Sequence, residues 1–322
     1  MSYCFLLYSL PWISVHIMLI GLITCVLSLL KLPSPVPAHV QQILGNLSHT
    51  KTGTGDIVAH RGACLDAPEN SVEAVREAKA RGATWVEFDV SFTSDGVGVV
   101  FHDDTVDRIT TASGPVSSFS LAQLSSLNLA TKFNQPDRFS SVRIATVEEF
   151  VAECMRLNIK MIIDLKTYTQ PKETIALLTS LYGKHPTLKQ NSIVTSFFPN
   201  LLYSLRSSHP DVVAAISTRP GFVSCQSWEG TRASIKPRFT GVKQLLARGA
   251  DLVFEPLLDS FIWWMVGLSA VLVHRAVITR SYVDTWRQRG VTVMAWTVNC
   301  PTEKKFYRNA IKIPVLSDTM DE

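Results

Sequence analysis

The sequence predicts an α/β protein whose parallel strands close into a (β/α)8 barrel, the TIM barrel. From residue 56 onward, short apolar runs of strand length alternate with helical patterns at βα spacing. Eight such runs are present, and eight strands in repeated βα order favour a closed parallel barrel over an open sheet. A chain of 322 residues can form such a barrel as one domain.

The predicted strands are apolar runs bounded by turn residues, near 56–63, 84–91, 98–102, 160–166, 192–198, 212–217, 269–274 and 291–298. Helical patterns separate most of them, including 147–157, 174–181 and 281–290. Asn70 followed by Glu73 resembles a capping box, which predicts that a helix begins with Asn70 as its cap. Asp95-Gly96 predicts a turn that brings the second and third strands close together.

Residues 1–30 contain no Asp, Glu, Lys or Arg. An apolar run of this length can cross a bilayer as a helix. Neither a basic leader nor a small-residue cleavage site is clear, so we expect an uncleaved anchor over residues 1–31 rather than a signal peptide. Residues 32–55 would then form a linker, stiffened by prolines at 33–37, before a barrel domain over 56–322.

The orientation of this anchor stays open from the residues alone. Asn46-Leu47-Ser48 is a glycosylation sequon, which is usable only on the lumenal side. Lys31, directly after the span, weakly favours the opposite orientation.

An insertion at residues 219–267 interrupts the barrel pattern before the predicted seventh strand. Loops this long between barrel elements tend to be functional. Residues 256–273 are almost wholly apolar, and a second membrane span is one interpretation. We expect instead a helix near 257–268 that lies on a membrane or packs under the barrel rim, because residues 269–274 are needed as a strand.

Composition limits the classes of partner. The chain is 46% hydrophobic, which is high for a soluble protein and agrees with contact with membrane lipid. The formal net charge is only +4 and basic residues are scattered, so we expect no nucleic-acid partner. The six cysteines have neither metal-ligand spacing nor the density of a disulfide scaffold.

Charged residues stand two positions apart on two predicted strands. Glu87 and Asp89 would both point into the barrel, and Asp164 and Lys166 repeat the pattern on a later strand. Buried carboxylates normally coordinate a metal or pair with a cation. Three carboxylates without thiolates or a His-x-x-x-His pattern indicate an oxygen site suited to Mg²⁺, with Ca²⁺ possible.

His60 and His102 each end a predicted strand. Two imidazoles could act as general acid and general base, while Arg61 offers a planar fork for a phosphate and Lys166 a point charge. Each residue alone has an ordinary structural explanation, but their conjunction inside barrel-interior runs favours phosphoryl-transfer chemistry. We expect the other histidines, including His274, to be structural or on the surface.

These motifs resemble the glycerophosphodiester phosphodiesterase family. The resemblance covers roughly residues 56–318 and rests on His60-Arg61-Gly62, residues 67–71, 87–90, 93–96, His102-Asp103, and residues 107–110 and 296–299. The anchor, the apolar insertion and Asp164-Leu165-Lys166 are most similar to membrane-bound animal members that hydrolyse glycerophosphoinositol and related lysophospholipid-derived diesters.

The resemblance implies a role for each matching residue. His60 and His102 match the acid/base pair, Arg61 and Lys166 the phosphate-binding cations, Trp296 an aromatic at the site mouth, and Glu87, Asp89 and Asp164 the metal ligands. At the position of Asp164 the family usually has a glutamate, whose side chain is one methylene longer. In the implied reaction, a glycerol hydroxyl attacks its own phosphorus, and water later opens the cyclic phosphate.

Two other functions stay open. The apolar insertion could hold an acyl chain, as in a lysophospholipase D-like enzyme acting on lysolipids. The chain could also be a non-catalytic membrane interaction protein, although none of the matched histidines and carboxylates has been replaced by a neutral residue. The resemblance favours a lumenal or extracellular catalytic domain at the plasma membrane or an endomembrane.

Overall fold

The computed structural model describes residues 18–19, 21–22, 25–48, 55–167, 169–228, 230 and 235–322. Its strands are β1 (Ile57–Ala59), β2 (Trp85–Phe92), β3 (Gly98–Val100), β4 (Lys160–Leu165), β5 (Ser192–Ser196), β6 (Ala214–Thr218), β7 (Cys225–Ser227), β8 (Lys236–Pro237), β9 (Ala270–His274), β10 (Thr292–Trp296) and β11 (Val315–Ser317). Eight of them pair in parallel, and β1 pairs with both β2 and β11, so the sheet closes into the predicted (β/α)8 barrel.

One member of the barrel differs from the prediction. The predicted strand near 98–102 is β3, which runs antiparallel to β2 as a hairpin outside the parallel barrel. The eighth barrel strand is β11, which we did not predict because three residues are too short to show a period. Strand β9 is therefore the sixth barrel strand rather than the seventh. It pairs with β6 and β10 on its two sides, as expected.

The helices are α1 (Pro37–Ser48), α2 (Val72–Ala80), α3 (Leu121–Ser125), α4 (Val147–Arg156), α5 (Pro171–Lys184), α6 (Pro199–Ser208), α7 (Gly241–Leu257), α8 (Trp263–Val266), α9 (Arg280–Gln288) and α10 (Pro301–Lys305). The Ser71 hydroxyl caps α2 by accepting from the Ala74 N–H at 3.0 Å. The prediction that Asn70 is this cap is wrong, because its amide is bound to Asp89 instead.

Side chains point alternately outward and inward along the strands, and they form two apolar layers. The outward residues of β2, such as Phe88, pack on the surrounding helices, and the Phe88 and Phe150 rings lie 4.5 Å apart. The inward residues at the strand starts, such as Trp85, form a second cluster inside the barrel. Ile43 and Leu47 of α1 complete this inner cluster, so half of the predicted linker closes the end of the barrel where the strands begin.

Most of the predicted anchor, including residues 1–17, lies outside the described residues. Among the helices that the structure does describe, none is both long and apolar enough to cross a membrane. Residues 25–30 are helical, and the chain then contacts the insertion, where the Leu32 N–H donates to Met265 O at 2.9 Å. The sequon at 46–48 lies in the last turn of α1, and glycosylation there stays a prediction.

The insertion folds into the β7–β8 hairpin, helix α7, a π-helical turn (Leu258–Ile262) and α8. Leu258 and Val266 are buried against the main apolar layer, so residues 257–268 pack under the barrel rim. Residues 270–274 form the barrel strand β9, which contradicts the interpretation of 256–273 as a membrane span. The fully buried Arg206 of α6 holds this segment, because its guanidinium donates to Val266 O and Gly267 O and also to Pro33 O and Pro210 O.

Candidate active site

Three buried carboxylates converge at the carboxyl ends of the barrel strands. Glu87 and Asp89 lie two apart on β2, and Asp89 is in register with Asp164 on the neighbouring β4. One oxygen of each lies within 4.8 Å of the others, close enough for one ion to be shared. The predicted convergence of these three side chains is therefore confirmed.

Burial and mutual repulsion disfavour the charged form of two of the three carboxylates. Burial and the neighbouring Asp89 raise the pKa of Glu87 to about 7, and burial also raises the pKa of Asp164. Burial acts in the same direction on Asp89, but Lys166 and the other nearby cations outweigh it and hold the Asp89 pKa below its usual range. Lys166 Nζ lies 2.5 Å from Asp164 Oδ2 and 3.0 Å from Asp89 Oδ1.

The oxygen set fits a divalent ion such as Mg²⁺ or Ca²⁺. Asp164 Oδ1 is buried without a hydrogen-bond partner, and a buried carboxylate oxygen is costly to leave unpaired. Hard divalent cations prefer carboxylate oxygens of this kind. The shorter side chain of Asp164 does not keep it out of the cluster.

His60 follows β1 and is held by a carboxylate from the far end of the chain. Its Nδ1 lies 2.6 Å from Asp318 Oδ1, and its Nε2 lies 3.8 Å from Glu87 Oε2. Because an ionised carboxylate only accepts, the Nδ1 carries the proton and the Nε2 is left for chemistry. Asn299 fixes Asp318 by donating to its Oδ2 at 2.7 Å and accepting from its backbone N–H at 2.9 Å.

His102 follows β3 and is held in the same way by its neighbour. Its Nδ1 lies 2.6 Å from Asp103 Oδ1, while Arg108 donates to the other oxygen of Asp103 at 2.6 Å. Arg108 also forms a bidentate ion pair with Glu69, in which Nη1 and Nη2 each donate to one carboxylate oxygen at 2.7 Å. The Nδ1 of each histidine of the predicted pair is therefore hydrogen-bonded to a carboxylate.

Arg61 and Asn70 occupy left-handed backbone conformations beside the carboxylates, with φ of 52° and 56°. This turn directs the Arg61 N–H to Glu87 Oε2 at 2.9 Å. Gly62 is needed next to it, because φ is +81° and a Cβ there would lie 2.6 Å from that of Ala74. The Asn70 side chain donates to Asp89 Oδ2 at 2.8 Å and accepts from the Asp89 N–H at 3.2 Å.

A cleft of ≈ 670 Å³ opens beside the carboxylates and the two histidines. Trp296, at the end of β10, lines it, as do Phe197 and His274. The insertion supplies a further part of the wall, with Phe222 and Trp228 among its lining residues. The Phe197 and Phe222 rings stack at 4.9 Å, and Lys166 Nζ lies 5.7 Å from the Phe197 centroid.

Several residues of the site were not predicted from the sequence. Asp318 follows β11, the strand that we missed, and the apolar run before it was its one signal. His274 is the last residue of β9, much as His60 directly follows β1, yet we expected it to be structural or on the surface. It lines the cleft between the rings of Trp228, at 4.8 Å, and Trp296, at 5.3 Å.

Comparison with known proteins decides the family. The model of the glycerophosphoryl diester phosphodiesterase family matches residues 60–322. The chain belongs to this family. It is 35% identical over 266 residues to glycerophosphodiester phosphodiesterase 1 of Mus musculus and of Homo sapiens, and the matches cover 82% of this chain and 78% of each relative.

Solved structures of family members share the fold. A phosphodiesterase from Oleispira antarctica, in complex with the product sn-glycerol-3-phosphate, superposes with a TM-score of 0.63 at 22% identity, covering 83% of this chain and 94% of that one. A glycerophosphodiester phosphodiesterase from Agrobacterium tumefaciens gives 0.60 at 21% identity, covering 83% and 97%. These structures share the TIM-barrel fold of this chain, and membership of the family identifies it as a hydrolase of phosphodiester bonds.

Proposed function

We propose that this protein hydrolyses glycerophosphodiesters, glycerophosphoinositol among them, with a divalent ion and a histidine pair. The single observation that carries the proposal is the meeting of two carboxylate-held imidazoles with three buried carboxylates in one cleft. A site of this kind can bind a phosphate, stabilise charge on it and move protons at both ends of the reaction.

Glu87, Asp89 and Asp164 would hold the divalent ion, Mg²⁺ or Ca²⁺. When bound, the ion supplies positive charge beside the phosphate oxygens. Arg61 and Lys166 would bind the same phosphate, and their place in the cleft lining supports this role. Arg61 Nε makes no hydrogen bond and lies 3.6 Å from Asp89 Oδ2. Lys166 already offsets charge on two of the carboxylates.

His60 and His102 would move the protons. One Nε2 accepts the proton of a glycerol hydroxyl as its oxygen attacks the phosphorus of the same molecule, and the other imidazole protonates the departing alcohol. Attack within one molecule gains from proximity, because no translational freedom is lost at that step. Water then opens the cyclic phosphate.

Turnover of the purified full chain on glycerophosphoinositol and glycerophosphocholine tests this proposal. We expect His60→Ala and His102→Ala each to lower kcat by a factor of about 10²–10⁴, with circular dichroism unchanged. His185→Ala, a histidine at the end of α5, is the matched control. Near-normal turnover by either site variant would remove that histidine from the reaction.

A second arm of the same experiment concerns the ion. We expect EDTA to abolish turnover and added Mg²⁺ or Ca²⁺ to restore it, because the proposed ion would stabilise charge on the phosphate during the reaction. Full activity in EDTA would show that the proposed metal dependence is wrong.

Lysolipids are a second candidate substrate class. The aromatic wall formed by Phe197, Phe222 and Phe254 could contact an acyl chain next to the site. We expect Phe222→Ala to raise KM for lysophosphatidylcholine more than for glycerophosphocholine, which has no acyl chain. Equal effects on both substrates would argue against acyl-chain binding at this wall.

A further inference from the structure

Helix α7 has its apolar and polar faces reversed. In a globular protein the apolar stripe of a surface helix faces the core. In α7 the buried residues include Gln244 and Asp251. The large apolar side chains that face outward are between 44% and 79% exposed: Val242, Leu245, Leu246, Leu252, Val253 and Leu257. At 3.6 residues per turn they form one continuous arc of the helix surface.

Specific hydrogen bonds fix this orientation. The carboxylate of Asp251 accepts from the Val223 N–H at 2.8 Å and from the Ser224 N–H at 3.0 Å. Glu255 Oε1 accepts from the Gly221 N–H at 2.7 Å. Gln244 donates to Ser224 O at 3.0 Å. Turning the apolar arc inward would leave these backbone groups unpaired, so the helix must present it outward.

The charges of α7 are arranged to suit an anionic surface. Its two acidic residues, Asp251 and Glu255, bond inward to the loop before β7. Lys243 and Arg248 are exposed, and helical geometry places them on opposite borders of the apolar arc. An apolar face bordered by Lys and Arg is typical of helices that lie in the interface of anionic membranes.

Helix α7 leads, through the elements that follow it, to a contact with the residues directly after the apolar segment at 1–30. Helix α7 continues through the π-helical turn into α8, whose Met265 accepts from the Leu32 N–H. Lys31 Nζ lies 4.8 Å from the centre of the Trp264 ring. Residues 1–30, which lead into this contact, contain no charged side chain. This continuity favours lipid as the occupant of the arc.

We propose that α7 docks on an anionic lipid surface, with the apolar arc at the boundary of headgroups and acyl chains and with Lys243 and Arg248 against lipid phosphates. The docking uses none of the proposed catalytic residues. It does bear on the cleft, because Phe254 on the inward side of α7 lies 6.3 Å from the ring of the cleft residue Phe222. A docked α7 would hold this part of the cleft wall near the lipid.

A position-specific fluorescence experiment on the full chain tests the docking. An environment-sensitive fluorophore is attached at Leu246→Cys, and the protein is reconstituted into phosphatidylcholine vesicles that contain phosphatidylserine and a spin-labelled lipid as quencher. The parent protein, labelled in parallel, corrects for native thiols. Phe306→Cys is the matched control, because Phe306 is an apolar residue, 47% exposed, outside α7.

We expect lipid quenching at position 246 and none at 306. Adding Leu245→Asp with Leu252→Asp should lower the ratio of docked to undocked helix by about 10², and Lys243→Gln with Arg248→Gln by about 10–30-fold. Without vesicles, these exposed substitutions should leave the melting temperature unchanged.

Two outcomes would overturn the proposal. Access of a water-soluble quencher to the label at 246, with vesicles present, would show that the arc stays in water. Shielding from water without lipid quenching would show that protein covers the arc, either the amino-terminal segment of the same chain or a second copy.

Discussion

The substitution Asp318→Asn tests whether the carboxylate on His60 is needed for catalysis. An amide has almost the same shape as the carboxylate, so the contact with Asn299 can largely persist. The amide nitrogen, however, can donate to His60 Nδ1, which moves the imidazole proton to Nε2 and removes the free lone pair from the cleft.

The expected loss is large because the contact is short and the imidazole is mostly buried. His60 Nδ1 and Asp318 Oδ1 are 2.6 Å apart, and burial tends to lower the pKa of His60 while Glu87 and Asp318 raise it above its usual value. Loss of the correct tautomer in a comparable carboxylate–imidazole pair lowers kcat by about 10⁴, so we expect a fall of about 10²–10⁴ here, or about 3–5 kcal/mol in the activation barrier.

Steady-state turnover of a soluble glycerophosphodiester provides the assay. KM should change little, because Asp318 acts through His60 and not on the phosphate. Asp321→Asn is the matched control, since that carboxylate pairs with Arg81 at the surface. The double variant His60→Ala with Asp318→Asn should lose no more activity than His60→Ala alone. A further loss in the double variant, or normal kcat for Asp318→Asn, would refute the reasoning.

Three other predictions follow from buried contacts. Asn70→Ala should lower the affinity for Mg²⁺ by about 10–100-fold by releasing Asp89, as measured by titration calorimetry; unchanged affinity would contradict this. Arg206→Met should lower the free energy of unfolding by about 3 kcal/mol or more, because two buried and two part-buried hydrogen bonds from a charged donor are lost; urea denaturation measures it, and a stability equal to the parent would be inconsistent. Iodoacetamide should modify Cys300 before Cys64 in mass spectrometry, because burial raises the pKa of Cys64 whereas backbone N–H groups lower that of exposed Cys300; the reverse order would contradict the burial.

The cluster of three carboxylates was predictable because it depends on local geometry. Residues two apart on a strand share a face whatever the rest of the chain does, which is why Glu87 and Asp89 could be assigned to the interior. Asp164 followed from the same pattern on β4. Alternation of apolar runs with helical patterns likewise indicated the barrel before any contact was known.

The individual strands were harder to assign. The run at 98–102 has the composition of a barrel strand, but the Asp95-Gly96 turn is too short to allow a parallel crossover, so β3 folds back on β2. This short turn is therefore a signal in the sequence that excludes the run from the barrel. Strand β11 became identifiable only from its pairing with β1 and β10.

By itself, the sequence determined the α/β barrel, the pair of histidines at strand ends and the three inward carboxylates, because each depends on spacing along a few neighbouring residues. Only the tertiary structure decided which carboxylate holds His60, since Asp318 lies 258 residues away. It also decided that α1 closes the barrel and that α7 turns its apolar face outward. The physical reason is the same in each case: these features depend on hydrogen bonds and packing between segments that are far apart in the chain and adjacent only after folding.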